Sequence, residues 1–174
     1  MLKDIRLAIF DFDDTLAIHK NSDYVKTRGK DDDEYFLEAF INPEIFYESI
    51  EPCEPSKDMM DLIYYCRLND IKMYVLSGMR FSLHAEAKKT FVNKHYGDID
   101  FLMASSQEKK EDVIRILKKA YDLDYKNILF IDDMKENVDK MKELGVQSFH
   151  VSEVKNVEVI PGRTLAEFIE YMND

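Results

Sequence analysis

The sequence predicts a three-layer α/β fold of Rossmann-like type: a parallel sheet flanked by helices, with a small insert after the first strand. Three observations carry this expectation. Short strand-like runs at 7–10, 71–76, 101–104, 128–131 and 146–151 alternate with helical patterns. The first run, Leu7-Ala8-Ile9-Phe10, shows no polar alternation, which suits a strand buried on both faces. The alternation is regular from residue 56 onward, and repetition of that kind builds a parallel sheet covered by helices on both sides. A chain of 174 residues fits one domain, with 17–54 as the stretch that breaks the pattern.

The elements follow in order. Residues 17–19 and 24–26 pair around 20–23 as a small hairpin flap. Asp31, Asp32, Asp33 and Glu34 precede a short helix carrying Tyr35, Phe36, Leu37, Ala39 and Phe40, since acids at a helix start complement the backbone dipole. Asn42-Pro43 ends it, and Pro43 opens another helix to about residue 50. Ser56 caps a longer helix with Met59, Met60, Ile63, Tyr64 and Cys66 at helical spacing. Strand 71–76, helix 81–95 and strand 101–104 come next. Helix 109–121 carries Val113, Ile114, Ile116, Leu117 and Ala120. Strand 128–131 leads to helix 135–144, closed by Gly145 as a left-handed C-cap, and then to strand 146–151. Thr164 and Glu167 form a capping-box pattern before a last helix whose apolar face is Phe168, Ile169 and Met172.

Net charge is −11, from 24 basic and 35 acidic residues, which argues against a general nucleic-acid or membrane-surface binder. An anionic ligand is still admissible, because a bound cation reverses the local field. Cys53 and Cys66 imply no disulfide framework and read as thiols of a reducing compartment. The first residues lack the apolar core of a signal peptide, and no run approaches the ~18 apolar residues that span a bilayer. The expected location is the cytoplasm.

The chemistry concentrates in two acidic pairs. Asp11 and Asp13 follow the first strand, and Asp132-Asp133 follow Ile128-Leu129-Phe130-Ile131. Ligands of parallel α/β sheets bind at the carboxyl ends of the strands. Carboxylates gathered there repel one another unless a cation sits between them. Hard oxygen ligands with open positions suit Mg²⁺, which keeps waters and substrate phosphate in its shell. Ser77-Gly78 ends the second sheet strand, and Lys109-Lys110 opens the helix after the third. The histidines His19, His84, His95 and His150 show no metal-ligand spacing. His19, in the flap, and Arg80, just past Ser77, are candidate substrate contacts.

In this order, Asp11-Phe12-Asp13-Asp14-Thr15-Leu16, Leu76-Ser77-Gly78, Lys110-Glu111-Asp112-Val113-Ile114 and Phe130-Ile131-Asp132-Asp133-Met134-Lys135-Glu136-Asn137 resemble the motifs of the haloacid dehalogenase (HAD) superfamily, a group dominated by Mg²⁺-dependent phosphatases. The resemblance covers residues 5–151, with 17–54 as a minimal cap. It implies a phosphomonoester hydrolase with Asp11 as nucleophile, forming an aspartyl phosphate. Splitting a very slow hydrolysis into two steps through an acyl phosphate is physically sound. Asp13 is placed to protonate the leaving oxygen and then to deprotonate water. The resemblance gives Mg²⁺ to the Asp11 carboxylate, the Asp13 carbonyl and the second pair, with Asp133 favoured as direct ligand and Asp132 direct or through water. Ser77 and the Gly78 N–H would hold phosphate oxygens. Lys110 would pair with nucleophile and phosphate, preferred over Lys109 because Val113 and Ile114 follow at the family's spacing. Asn137 is a candidate partner of the second acidic pair.

Other readings weigh less. A phosphate- or Mg²⁺-binding regulatory domain would use the same pocket, but a phosphoreceiver carries its Asp after a middle strand, where this chain has Ser77. A phosphotransferase sharing the intermediate normally excludes water with a larger closing cap. Residues 14–76 leave no room for a helical-bundle cap. Such a lightly covered site admits a phosphoprotein or a nucleic-acid end, while the acidic charge favours a small phosphorylated metabolite.

Overall fold

The structure is a computed structural model that describes residues 2, 4–19, 53–78, 83–104 and 109–174. The expected helices between residues 31 and 50, the segment 20–26, Arg80 and the side chain of His19 lie outside the described residues. In chain order the elements are β1 (Leu7–Phe10), β2 (Ala17–His19), β3 (Cys53–Pro55), α1 (Lys57–Leu68), β4 (Lys72–Gly78), α2 (Leu83–Tyr96), β5 (Asp100–Ala104) and α3 (Lys110–Ala120). A 3₁₀ turn precedes β6 (Ile128–Asp132), followed by α4 (Lys135–Glu143) and β7 (Gln147–His150). After a second 3₁₀ segment, Val151–Asn156, come β8 (Glu158–Ile160), β9 (Arg163–Thr164) and α5 (Leu165–Asn173).

Five strands form one parallel sheet in the order β5-β4-β1-β6-β7, as expected of an α/β chain of this pattern. Side chains on a strand alternate between faces, and the core divides accordingly. Ala8, Phe10, Leu129, Ile131, Met73 and Val75 point to one face, against Met59, Leu62, Ile63 and Cys66 of α1 and Ala87, Phe91 and Val92 of α2. Leu7, Ile9, Ile128, Phe130 and Leu76 point to the other, against Ile114 and Leu117 of α3 and Met141 of α4. Because helices cover both faces, β1 and β6 are apolar throughout up to the terminal Asp132.

β1 pairs with β4 on one side and β6 on the other, so the chain winds outward in opposite directions from this point. Such a reversal opens a crevice at the strands' carboxyl ends, where ligands bind. The pairing of Phe10 with Ile131, continued by the Asp11 N–H donating to the Ile131 carbonyl at 2.9 Å, sets the two acidic motifs side by side at that crevice.

Local details differ from expectation in instructive ways. Ala17–His19 pairs antiparallel with Cys53–Pro55, a partner the sequence did not indicate, while the expected hairpin partner 24–26 lies outside the described residues. The two ends of the insert leave and rejoin the same edge of the body, so they lie side by side and satisfy each other's backbone. Tyr96 fastens this neck: its buried hydroxyl accepts from the Ser56 N–H at 2.7 Å and donates to the Leu16 carbonyl at 2.5 Å. In α1 the buried face is Met59, Leu62, Ile63, Tyr65 and Cys66, while Met60 and Tyr64 are exposed. That helix is apolar enough all round that spacing alone did not fix its phase. Ile116 and Met172, expected in apolar faces, are likewise exposed. Ser77 and Gly78 belong to β4 itself, which runs two residues past the expected end. The β8–β9 pair was not foreseen. The caps at Ser56, Thr164 and Gly145 are as expected, Gly145 taking φ 89°. Cys53 and Cys66 are not joined in a disulfide. Among the described residues, no helix is long and apolar enough to cross a membrane.

Candidate active site

The chain leaves β1 through a tight turn. The Phe12 carbonyl accepts from the N–H groups of Leu16 and Ala17, both at 2.9 Å, and Asp14 adopts φ 50°, a left-handed conformation that Asp tolerates better than most residues. Phe12, Thr15 and Leu16 are wholly buried. Phe12 packs edge-on against Phe91, ring centroids 5.7 Å apart, and against Phe101. The buried aromatic between the two acids pins the turn, so Asp11 and Asp13 flank it at the mouth of the crevice.

Carboxylate oxygens of Asp11, Asp132 and Asp133 lie within 4.8 Å of one another. Lys110, from the first turn of α3, reaches into this group. Its ammonium donates to Asp11 Oδ1 at 2.6 Å and to Asp132 Oδ2 at 2.7 Å. Lys109 is exposed and takes no part in these two bonds. Asp132 is fully buried and heavily engaged, accepting the Met134 N–H at 2.8 Å and the Asn137 amide at 3.1 Å besides Lys110. Asn137 therefore stands where the sequence suggested. Asp133, half-buried, offers an oxygen to the same space.

Three carboxylates face one ammonium here, in a place largely removed from water. Burial pushes the Asp11 carboxyl up to about 7, opposed by Lys110 and reinforced by the charges of Asp132 and Asp13. Burial likewise lifts Asp133 to about 6, with Asp132 and Asp14 adding to the shift. Burial alone would lower Lys110, but the charges of Asp11 and Asp132 outweigh it and raise its pKa. With the Asp11 pKa at about 7, its ionisation at neutral pH depends on how much positive charge is nearby. A divalent cation suits this set: all-oxygen donors, excess negative charge, and protons ready to leave when metal binds.

Asp13 stands apart from the three. Its carboxylate is bound by the ammonium of Lys88, a residue of α2 that sequence reasoning passed over. The same ammonium donates to Ser77 Oγ at 2.8 Å. Lys88 is only 3% exposed, and its Nζ lies 4.9 Å from the Phe12 ring centroid. The signal was present: Lys88 falls on the stripe formed by Ala87, Phe91, Val92 and Tyr96, all buried. A lysine in the middle of an apolar stripe requires a partner. Two lysines from successive helices thus hold the two acids of the first motif, the partly exposed Lys110 on Asp11 and the buried Lys88 on Asp13. The remaining histidines with described side chains serve structure: His95 packs on Phe91, and His150 caps the 3₁₀ segment through Ser152.

No protein-family model matches the chain, and no curated protein matches it. Solved structures do. A HAD-superfamily hydrolase from Ehrlichia chaffeensis matches 99% of this chain and 98% of its own length, with a TM-score of 0.53 and 13% identity. A HAD-family enzyme from Bacteroides thetaiotaomicron, solved as a magnesium complex, matches over 85% and 93%, with a TM-score of 0.50 and 18% identity. The cobalt-bound deoxy-D-mannose-octulosonate 8-phosphate phosphatase of Haemophilus influenzae matches over 84% and 68%, with a TM-score of 0.50 and 16% identity. The chain therefore has the fold of the HAD-type hydrolases.

Proposed function

We propose that this protein, a single HAD-like domain, is a Mg²⁺-dependent phosphatase that hydrolyses a phosphomonoester through an aspartyl phosphate on Asp11. The observation that carries the reading is the convergence of Asp11, Lys110, Asp132 and Asp133 at the point where the sheet reverses direction. The HAD fold, the magnesium complex of one neighbour and the phosphatase activity named for another support it.

The carboxylates of Asp11 and Asp133, with the Asp13 carbonyl, would hold the ion, and Asp132, itself bonded to Lys110, Met134 and Asn137, would join directly or through water. When bound, Mg²⁺ neutralises charge between the nucleophile and the incoming phosphate. The chain's own residues do the rest. An Asp11 oxygen attacks phosphorus, the ester P–O bond breaks, and Asp13 gives its proton to the leaving oxygen. Water then attacks phosphorus while Asp13 takes its proton. The bond between Asp11 and phosphorus breaks, releasing inorganic phosphate and restoring the carboxylate. Lys110 offsets the Asp11 charge, and the Ser77 hydroxyl with the Gly78 N–H faces the phosphate oxygens. The −11 net charge favours a small phosphorylated metabolite over a nucleic acid.

The test is phosphate release from a panel of phosphomonoesters, with and without Mg²⁺, for the parent and for Asp11→Asn. The proposal expects metal-dependent turnover that Asp11→Asn abolishes. Retention of activity within about tenfold in that variant would remove Asp11 from the nucleophile's role.

A further inference from the structure

We infer that Lys88 is a positioning residue that sets both the place of the Asp13 carboxylate and the donor direction of the Ser77 hydroxyl, so that one buried ammonium organises the leaving-group side of the site. The inference rests on the phosphatase reading above and deepens it.

A lysine ammonium withdrawn from water costs several kcal/mol unless its protons are matched by acceptors. Lys88 is 3% exposed, and nothing about helix formation requires a charge at this place in an apolar stripe. Its acceptors are two site residues brought in from separate elements: Asp13 from the turn after β1 and Ser77 near the end of β4. Phe12 supports the ammonium from below with its ring face, a placement favourable for a cation.

The chemistry of the three groups fixes the direction of each bond. An ammonium can only donate. Ser77 Oγ therefore accepts from Lys88, and its single proton must point elsewhere. Its protein acceptor is the Gly78 carbonyl at 3.5 Å, which is too long to hold the proton strongly. A phosphate oxygen arriving at β4 meets a hydroxyl already turned to donate. On the other arm, Asp13 Oδ2 is fixed by Lys88, so the carboxylate cannot rotate away from the crevice. A serine and an acid separated in sequence by the whole insert and α1 become one rigid unit, and this fixes their geometry before substrate arrives.

The substitution Lys88→Met keeps length and volume while removing the charge. Replacing a buried charge by an apolar group of similar size is usually tolerated, and the Asp13 side chain, 44% exposed, keeps access to water. The variant is expected to fold, as its melting curve will show. Two measurements decide the inference. The first compares kcat/KM on an alkyl phosphate, whose alkoxide must be protonated, with p-nitrophenyl phosphate, whose leaving group departs without a proton. Misplacing the acid should cost about a hundredfold on the alkyl ester, against roughly tenfold or less on the aryl ester, where only the Ser77 contact is lost. In an Asp13→Asn background, Lys88→Met should leave the alkyl-to-aryl ratio unchanged. Equal losses on both esters, or losses that simply add to those of Asp13→Asn, would overturn the inference. The second measurement is a crystal structure of Lys88→Met, which needs no turnover. Asp13 and Ser77 should leave the positions they share here, and if both keep them the inference fails. A parent inactive on every ester would instead refute the phosphatase reading, with the crystal structure still deciding the role of Lys88.

Discussion

Replacing Lys110 with methionine removes the only ammonium bound to Asp11 and Asp132 among the described residues. The two bonds lost, at 2.6 and 2.7 Å, come from a side chain that is 14% exposed. Removing one partner of a buried ion pair costs about 3–5 kcal/mol, because the other partner keeps its desolvated charge. For a chain of 174 residues that corresponds to a melting temperature lower by roughly 10 °C. The loss should depend on pH with a definite sign. Asp11 and Asp133 have folded-state values of about 7 and about 6, raised above the usual 3.8 chiefly by burial. A raised carboxyl stabilises the fold fully below its unfolded value, and that contribution disappears as pH climbs through the folded value. In metal-free protein at about pH 5, Asp11 is protonated and the missing ammonium costs less; as pH climbs past about 7 the parent's Asp11 ionises against Lys110 and the loss grows. Urea unfolding of parent and Lys110→Met at both pH values, without metal, measures this. A loss below about 1 kcal/mol at the higher pH, or equal losses at both, would refute the electrostatic role given to Lys110.

Further outcomes follow from the same charges and contacts. Asp11→Asn removes a desolvated carboxylate crowded by Asp132 and Asp13, so metal-free Asp11→Asn should melt higher than the parent at about pH 8 while having no turnover. Chelation of Mg²⁺ should lower the parent's melting temperature above neutral pH and barely change it near pH 5, because protons and metal compete for the same carboxylates, as paired calorimetric scans will show. Tyr96→Phe deletes a hydroxyl that ties Ser56 to Leu16 at the neck of the insert, and should cost about 1–3 kcal/mol in urea unfolding.

Much of this was written in the chain. The unbroken apolar run of β1 announces a strand covered on both faces, and the acids after it and after β6 announce where two such strands end. Strand order places those ends together. What local pattern could not supply were pairings made across long separations. The insert's neck joins Ala17–His19 to Cys53–Pro55, and no spacing rule links segments that meet only because both border the same body. The phase of α1 went astray because Met60, Tyr64, Leu62 and Tyr65 offer apolar side chains in several directions, and only the packed partner selects among them. Lys88 sits on an apolar stripe that signals a partner, but that partner, Asp13, stands 75 positions away, where local pattern cannot find it. A buried charge leaves in the sequence only the negative sign of a misplaced polar residue. Of the two lysines that open α3, Lys110, preferred on the family's spacing of Val113 and Ile114, is the one whose ammonium meets Asp11 and Asp132.

The central claim is that Asp11 carries the phosphoryl group between the two half-reactions. The most direct measurement is acid-quench mass spectrometry of the Asp13→Asn variant with Mg²⁺ during turnover of p-nitrophenyl phosphate, whose leaving group departs without a proton, so that loss of the general base should let the intermediate accumulate. One phosphoryl group on the peptide containing Asp11, labile to base and absent without Mg²⁺, is the predicted result. Phosphate release that proceeds with Asp11 unmodified, or a phosphoryl group on another residue, would contradict it.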